Sequence, residues 1–151
     1  MNEVIRPGTS KDAQNIADFQ VAMALETESK TLCSETVHTA VQAVFSDPQK
    51  GLYLVTELDG VVVASLLITY EWSDWRNSNM WYIQSVFVEP QHRRRGVFSR
   101  LYQKVVELAK ADGVSYVRLY VETDNKNAQQ LYERLGMKRM PYYMYDIKIP
   151  E

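Results

Sequence analysis

The residues most suited to chemistry lie at positions 86–101, where a buried-looking strand is followed by three arginines, a glycine and an amphipathic helix. The first turn of a helix has backbone N–H groups without partners inside the helix, and its dipole favours negative charge. Gly96 allows a ligand to approach the backbone closely, and the three arginines add positive charge at the same place. This combination predicts a binding site for a phosphate-type anion.

Two other interpretations of this segment stay open. In the first, the three arginines form a solvated loop and Gly96 is only a turn, because charge runs usually face solvent. In the second, the arginines bind nucleic acid, but a wider basic face and interleaved stacking residues are missing, and the net charge of −2 opposes it. A Walker-type phosphate loop is absent because no Gly-Lys-Ser/Thr follows, and the dinucleotide fingerprint is absent too.

Arg93-x-x-Gly96, following a V-x-x-E-P sequence that starts at Val86, resembles the acetyl-CoA signature (Q/R-x-x-G-x-G/A) of the GCN5-related N-acetyltransferase superfamily. Residues 125–137 are similar to a second motif of that family, N-x-x-A-x-x-x-Y-x-x-x-G-F. The opening at residues 4–13 also resembles the usual start of the family. Because the order of elements matches throughout, the resemblance covers nearly the whole chain.

The sequence departs from the family pattern at two positions. Phe98 replaces the last small residue of the signature, where its ring could crowd the pyrophosphate loop, and Met137 replaces an aromatic residue with another apolar one. Neither change removes a backbone donor. The resemblance therefore implies acetyl-CoA as the acyl donor, with cofactor-binding residues Val86, Phe87, Val88, Arg93, Arg94, Arg95, Gly96, Val97, Phe98, Ser99, Asn125, Ala128 and Tyr132.

The resemblance also implies roles in catalysis. A backbone N–H on the strand that ends at Val88 would bind the oxyanion of the tetrahedral intermediate. Tyr132 matches the family position that protonates the leaving thiolate, although packing on one face of its helix is the plainer interpretation. Gln84 lies where several family members have a glutamate base. Because an amide cannot serve as a base, the amine proton would leave through water or another acidic group.

Acidic and aromatic residues beside the expected acceptor cleft predict a cationic amine substrate, because carboxylates and tryptophan rings both attract an ammonium group. The alternative is that the acids are solvated and the tryptophans cover the edge of the core. A faint likeness of residues 69–88 to the diamine and polyamine branch of the family also favours a cationic acceptor. The candidate acceptor residues are Glu26, Glu28, Glu71, Trp72, Asp74 and Trp75.

The elements that must position these residues follow from hydrophobic periodicity and turn residues. The pattern predicts helices at 11–26, 34–47, 96–111 and 126–135. It predicts strands at 3–6, 52–57, 61–70, 80–88, 114–122 and 142–149, with a hairpin turn at Asp59-Gly60 and a polar loop at 71–79. The expected fold is a single α/β domain, residues 1–151, and the resemblance implies a mostly antiparallel twisted sheet flanked by helices.

Composition narrows the class of protein further. A chain of 151 residues can bury a core without staples, and Cys33, the single cysteine, excludes a disulfide framework and makes a metal site improbable. The first seven residues do not resemble a signal peptide and no apolar run is long enough to span a bilayer, so we expect a cytoplasmic protein that binds neither membrane nor nucleic acid. Tyr142, Tyr143 and Tyr145 suit either a sheet or the surface of a homodimer.

The sequence thus predicts an N-acetyltransferase that acts on a small, polyamine-like amine by direct attack in a ternary complex. Two alternatives remain. One is a non-catalytic acyl-CoA-binding regulatory module, which the glutamine at position 84 keeps open. The other is an acetyltransferase for an amine of a peptide or protein.

Overall fold

The computed structural model describes all 151 residues, and the chain divides into two compact units, Met1–Leu119 and Tyr120–Glu151. The first unit contains the sheet and three helices. In chain order its elements are β1 (Glu3–Pro7), α1 (Ala13–Glu28), α2 (Ser34–Ser46), β2 (Leu52–Leu58), β3 (Val61–Ser73), β4 (Ser78–Val88), α3 (Val97–Ala111) and β5 (Val117–Arg118).

The five strands form one sheet in the order β1-β2-β3-β4-β5. All neighbours are antiparallel except β4 and β5, which run parallel. Strands β2 and β3 are joined at Asp59-Gly60, where both residues have positive φ, as a type I′ hairpin turn requires. The mixed, mostly antiparallel sheet flanked by helices confirms the predicted fold class.

The sheet is covered on both faces. Side chains alternate between faces along a strand, so Val55 packs with α1 and α2 whereas the preceding Leu54 packs with α3. On the α3 side, Leu101 and Val105 are fully buried, which explains the spacing of apolar residues in that helix. The helix that opens the anion site is therefore fixed against the sheet by its own apolar face.

The entry into α1 is held by an ion-pair network. Arg6 on β1 donates to both carboxylate oxygens of Asp12 at 2.8 and 3.0 Å and to Glu57 at 3.0 Å. Asp12 is buried and also accepts from the backbone N–H of Thr9, so the pKa of its carboxyl is lowered, chiefly by the Arg6 hydrogen bond. These contacts fix the chain between the first strand and the first helix.

The second unit consists of α4 (Lys126–Arg134) and flanking segments without regular structure. Asn125 caps α4 by accepting the N–H of Ala128 at 3.1 Å, and Gly136, at φ 100°, follows its end. Both features agree with the predicted boundaries of this helix. None of the four helices of the chain has the length and hydropathy needed to cross a bilayer.

Three predicted elements were wrong. The predicted loop at 71–79 is the tip of a long hairpin, because β3 extends to Ser73 and β4 already begins at Ser78. The predicted strand at 114–122 shortens to two residues, because its pairing with β4 ends after Tyr82. Residues 142–149 form no strand despite their alternation, because no neighbouring strand pairs with them within the chain.

Candidate functional site

The candidate site begins at a bulge in β4. Leu67 of β3 faces Gln84, but Ser65 faces Phe87, so the two β4 residues Ser85 and Val86 lie opposite one β3 residue. Ser85 has a φ of 54°, in the left-handed region. A bulge bends its strand and re-aims the neighbouring backbone groups. The sequence contained no turn signal here, and this feature was missed.

The same part of β4 lacks a neighbour on its other side. Strand β5 pairs with β4 only at Trp81 and Tyr82, so residues 83–88 have no ladder partner along that edge. Unpaired backbone groups on an open edge are available to an extended ligand. The carbonyl of Val88 is already engaged, because it accepts a 2.8 Å hydrogen bond from Nε of Arg93.

The N-terminus of α3 carries the second part of the site. Gly96 is its N-cap residue, with φ 75°, and a glycine supplies no side-chain cap. The side chains of Arg94 and Arg95 are exposed at this point. The helix N-terminus and two exposed arginines thus lie next to each other in the segment for which the sequence predicts an anion site.

Two other first-turn residues belong to the core. Val97 is buried, and Phe98 packs partly into the core cluster on the α3 face, 6.3 Å from the ring of Tyr102 between centroids. Val97 and Phe98 therefore fix the first turn of α3 against the sheet.

The loop before α3 is supported by a second arginine. Arg100 donates from Nη1 to the carbonyl of Arg95 at 3.0 Å and makes a bidentate ion pair with Glu3 at 2.7 and 2.9 Å. A Cβ added to Gly96 would lie 2.8 Å from Nη1 of Arg100. The positive φ favours glycine here, whereas the end of the flexible Arg100 side chain can shift to make room for a Cβ.

Arg93 and Glu26 were predicted for different sites, but the structure pairs them. Arg93 donates from Nη1 and Nη2 to the two carboxylate oxygens of Glu26 at 2.6 and 3.0 Å. Its guanidinium carbon also lies 5.4 Å from the centre of the Phe87 ring. The hydrogen bond from Arg93 lowers the pKa of the Glu26 carboxyl. This pair connects the end of α1 to the loop before α3.

Gln84 is half-buried, and its amide nitrogen donates to Oγ1 of Thr69 at 2.6 Å. The side chain is thus oriented by the neighbouring strand. An amide held in this way can position a ligand but cannot take a proton.

The candidate acceptor residues on the β3–β4 hairpin are not arranged as an acidic cage. A carboxylate oxygen of Glu71 lies 3.9 Å from Nη1 of Arg118, and the guanidinium of Arg76 lies 4.7 Å from the centre of the Tyr116 ring. The negative charge of Glu71 is therefore paired with an arginine of the protein. Trp72 and Trp75 are 61% and 89% exposed, so they do not cover the edge of the core. All four candidate acids are exposed; Glu26 and Glu71 are in ion pairs, whereas Glu28 and Asp74 are not.

The remaining predicted residues, Asn125, Ala128 and Tyr132, lie on or next to α4 in the second unit. Burial raises the pKa of the Tyr132 phenol above its ordinary value of 10.0. A phenol with a raised pKa stays protonated at neutral pH, as a proton donor must.

A groove of about 360 Å³ runs between the outer face of α1 and the segment after β4. Phe19 and Phe87 form its apolar part, and the Asp18 and Glu89 carboxylates lie among its lining residues. Sequence reasoning did not identify it, because its residues come from segments about 70 positions apart and no local motif joins them.

Comparisons with known proteins agree with this fold. Residues 19–137 match the Acetyltransferase (GNAT) family, and the chain belongs to that family. A thialysine N-epsilon-acetyltransferase from Bos taurus is 37% identical over 50% of this chain and 44% of its own length. The chain spans about two fifths of the length of several curated relatives that it matches.

Two solved structures illustrate the similarity. The crystal structure of a "possible acetyltransferase" from Clostridium difficile 630 is 38% identical, with full coverage of both chains and a TM-score of 0.93. A predicted acetyltransferase from Clostridium acetobutylicum, solved with acetyl-CoA, has a TM-score of 0.81 with coverage of 97% and 96%. At 12% identity, the second structure shows the shared fold alone.

Proposed function

We propose that the chain is an acetyl-CoA-dependent N-acetyltransferase that acetylates a primary amine on a small cationic molecule. The observation that carries this proposal is the open edge of β4 leading to the N-terminus of α3, whose N-cap residue is Gly96. An extended pantetheine arm suits the open edge, and a diphosphate suits the helix N-terminus with Arg94 and Arg95. The family of the chain and the acetyl-CoA in the Clostridium acetobutylicum structure support this assignment.

In the proposed reaction, the neutral amine attacks the thioester carbonyl carbon within a ternary complex. A backbone N–H at the β4 bulge stabilises the oxygen that becomes negative in the tetrahedral intermediate. The carbon–sulfur bond then breaks, Tyr132 gives its proton to the departing thiolate, and the proton that the attacking nitrogen loses returns through water to the Tyr132 phenolate. The products are the acetylated amine and free coenzyme A. The role of Tyr132 rests on the family motif and on its raised pKa.

The amine must lose a proton before it attacks, because a free alkylamine has a pKa of about 10.4 and is an ammonium ion at neutral pH. Gln84 cannot accept this proton, so we propose that water at the site carries it away and that Gln84 orients this water or the amine. The exposed carboxylates of Glu28 and Asp74 favour a cationic acceptor. The thialysine named for the Bos taurus relative is also an amine, which supports this substrate class.

The test is an assay of free-thiol release from acetyl-CoA with a panel of polyamines, aminoglycosides, amino acids and peptides. We expect turnover with a small cationic amine and a higher melting temperature with acetyl-CoA, because a ligand that binds only the folded state stabilises it. The Arg94→Ala/Arg95→Ala variant should lose most of the thermal shift. Wild-type protein without shift and without thiol release would contradict the proposal.

The same panel decides between the remaining functions. A thermal shift without thiol release from any amine would favour a non-catalytic acyl-CoA-binding module, which the Gln84–Thr69 hydrogen bond keeps in consideration. Turnover confined to peptides would favour a protein or peptide acetyltransferase. A shift with DNA but not with acetyl-CoA would favour nucleic-acid binding through the arginines.

We further propose that the chain forms a homodimer in the cytoplasm, the compartment that supplies acetyl-CoA. Residues 142–149 form no strand, yet they alternate like one, and Tyr143, Tyr145 and Ile147 are 91%, 92% and 83% exposed. Antiparallel pairing of two copies about Ile147 would place Asp146 opposite Lys148, an opposite-charge pair. Light scattering should give twice the 17.5 kDa chain mass, and truncation after Pro141 should give the monomer. A full-length monomer would contradict this.

A further inference from the structure

The side chain of Arg93, the first residue of the signature, is directed away from the first turn of α3. Its Nε bonds the Val88 carbonyl at 2.8 Å, and its two terminal nitrogens bond Glu26 at 2.6 and 3.0 Å. Its planar group lies over Phe87. The guanidinium thus contacts strand, ring and helix at once, and the Glu26 carboxylate neutralises its charge.

The loop held by Arg93 contains a strained residue. Arg94 has a φ of 61°, a region that a side chain with a Cβ adopts only when the surroundings enforce it. Arg93 is anchored immediately before it, and the Arg95 carbonyl is anchored immediately after it by Arg100, which is itself paired with Glu3. The strained backbone of Arg94 is therefore fixed on each side by a different arginine. Glu26 holds Arg93, and Glu3 holds Arg100.

We propose that Glu26 is a positioning residue for coenzyme A: through Arg93 it holds the loop at 93–96 in the conformation whose amides and exposed arginines bind the diphosphate. The inference rests on the proposed function, because it assumes that this loop binds the cofactor. It differs from the sequence prediction, in which Glu26 contacts the acceptor amine and Arg93 the phosphates. Glu26 acts on the cofactor without touching it.

This role follows from the geometry and not from the stability that the ion pair provides. Both side chains are partly exposed, 37% for Arg93 and 46% for Glu26, and exposed pairs add little to folding stability. A bidentate pair nevertheless fixes the orientation of a guanidinium. Without Glu26, the loop also samples conformations that do not bind coenzyme A. The apparent affinity for coenzyme A then falls in proportion to the fraction of molecules whose loop is in the binding conformation.

The experiment compares Glu26→Gln with wild type by calorimetric titration of coenzyme A and by steady-state kinetics with the best amine of the panel. We expect the Kd for coenzyme A and the KM for acetyl-CoA to rise about fivefold, while kcat and the KM for the amine stay within twofold. The matched control is Asp18→Asn, which removes a carboxylate from the same helix without contacting Arg93 and should leave the Kd unchanged.

A charge exchange separates positioning from direct phosphate binding. Glu26→Arg and Arg93→Glu should each weaken coenzyme A binding, and the double variant should recover part of it, because the pair is restored with opposite polarity while the hydrogen bond from residue 93 to the Val88 carbonyl stays lost. If Arg93 itself binds phosphate, the double variant will bind as weakly as Arg93→Glu alone, which overturns the inference. Melting temperatures of all variants identify any that fail to fold, and Glu26→Gln, the mildest change, then decides.

The outcomes also separate this inference from the proposed function. An unchanged Kd in Glu26→Gln, with wild type that binds coenzyme A, overturns the positioning role and leaves the function intact. A raised KM for the amine with an unchanged Kd for coenzyme A does the same and assigns Glu26 to the acceptor. Wild type that fails to bind coenzyme A overturns the proposed function and this inference together.

Discussion

Arg94 offers a test of the site in which stability and ligand binding change in opposite directions. Its φ of 61° costs about 1–2 kcal/mol for a residue with a Cβ. Glycine removes that cost, but it also makes the unfolded chain more flexible, which lowers the free energy of unfolding by about 0.4–1 kcal/mol. We therefore expect Arg94→Gly to raise the free energy of unfolding by about 0.5–1 kcal/mol, the difference between these two effects. Urea unfolding of the ligand-free protein measures this directly.

The same substitution should weaken the binding of coenzyme A. An exposed guanidinium on a phosphate contributes near the lower end of about 1.5–3 kcal/mol, so we expect an affinity loss of about tenfold by calorimetry. Arg94→Ala is the matched control: it removes the same charge but keeps a Cβ at positive φ, so its affinity should fall equally without a gain in stability. The reasoning is refuted if Arg94→Gly is no more stable than Arg94→Ala.

Three further predictions test the scaffold and the chemistry. Asp12→Asn should lower the free energy of unfolding by about 2–3 kcal/mol at pH 7, because the buried Asp12 carboxylate is paired with Arg6. The pKa of Asp12 in the folded protein lies below its ordinary value of 3.8. Urea unfolding at a series of pH values should therefore show the stability difference between wild type and variant shrinking only below pH 3.8. Gly96→Ala should cost about 1–2 kcal/mol, because a residue with a Cβ is strained at φ 75°, and should weaken coenzyme A binding; unchanged affinity would show that this backbone conformation is not needed for binding. Tyr132→Phe should lower kcat by about 10²-fold, and an unaltered kcat would exclude Tyr132 as the acid. In the wild type, activity should persist to a pH above 10.0, the ordinary pKa of a tyrosine phenol, because burial raises the pKa of Tyr132.

The sequence by itself determined the elements whose signals are local. The apolar stripe of α3, the Asp59-Gly60 turn and the cap at Asn125 each depend on residues within one or two turns, so their boundaries were predicted to within two residues. The proposed anion site also comes from the sequence, because a helix N-terminus, a glycine and arginines are consecutive in the chain. The resemblance to the family motifs then supplied the proposed ligand for that site, which local physics alone does not name.

Only the tertiary structure decided which partners those residues take. Glu26 and Arg93 are 67 positions apart, and Glu3 and Arg100 are 97 apart, so no local pattern shows that each carboxylate holds an arginine that anchors the loop before α3. The β4 bulge, the two-residue pairing with β5 and the unpaired state of residues 142–149 likewise depend on which strands become neighbours. Backbone pairing between distant segments is set by topology, and alternation in a sequence specifies a strand-like segment without specifying its partner.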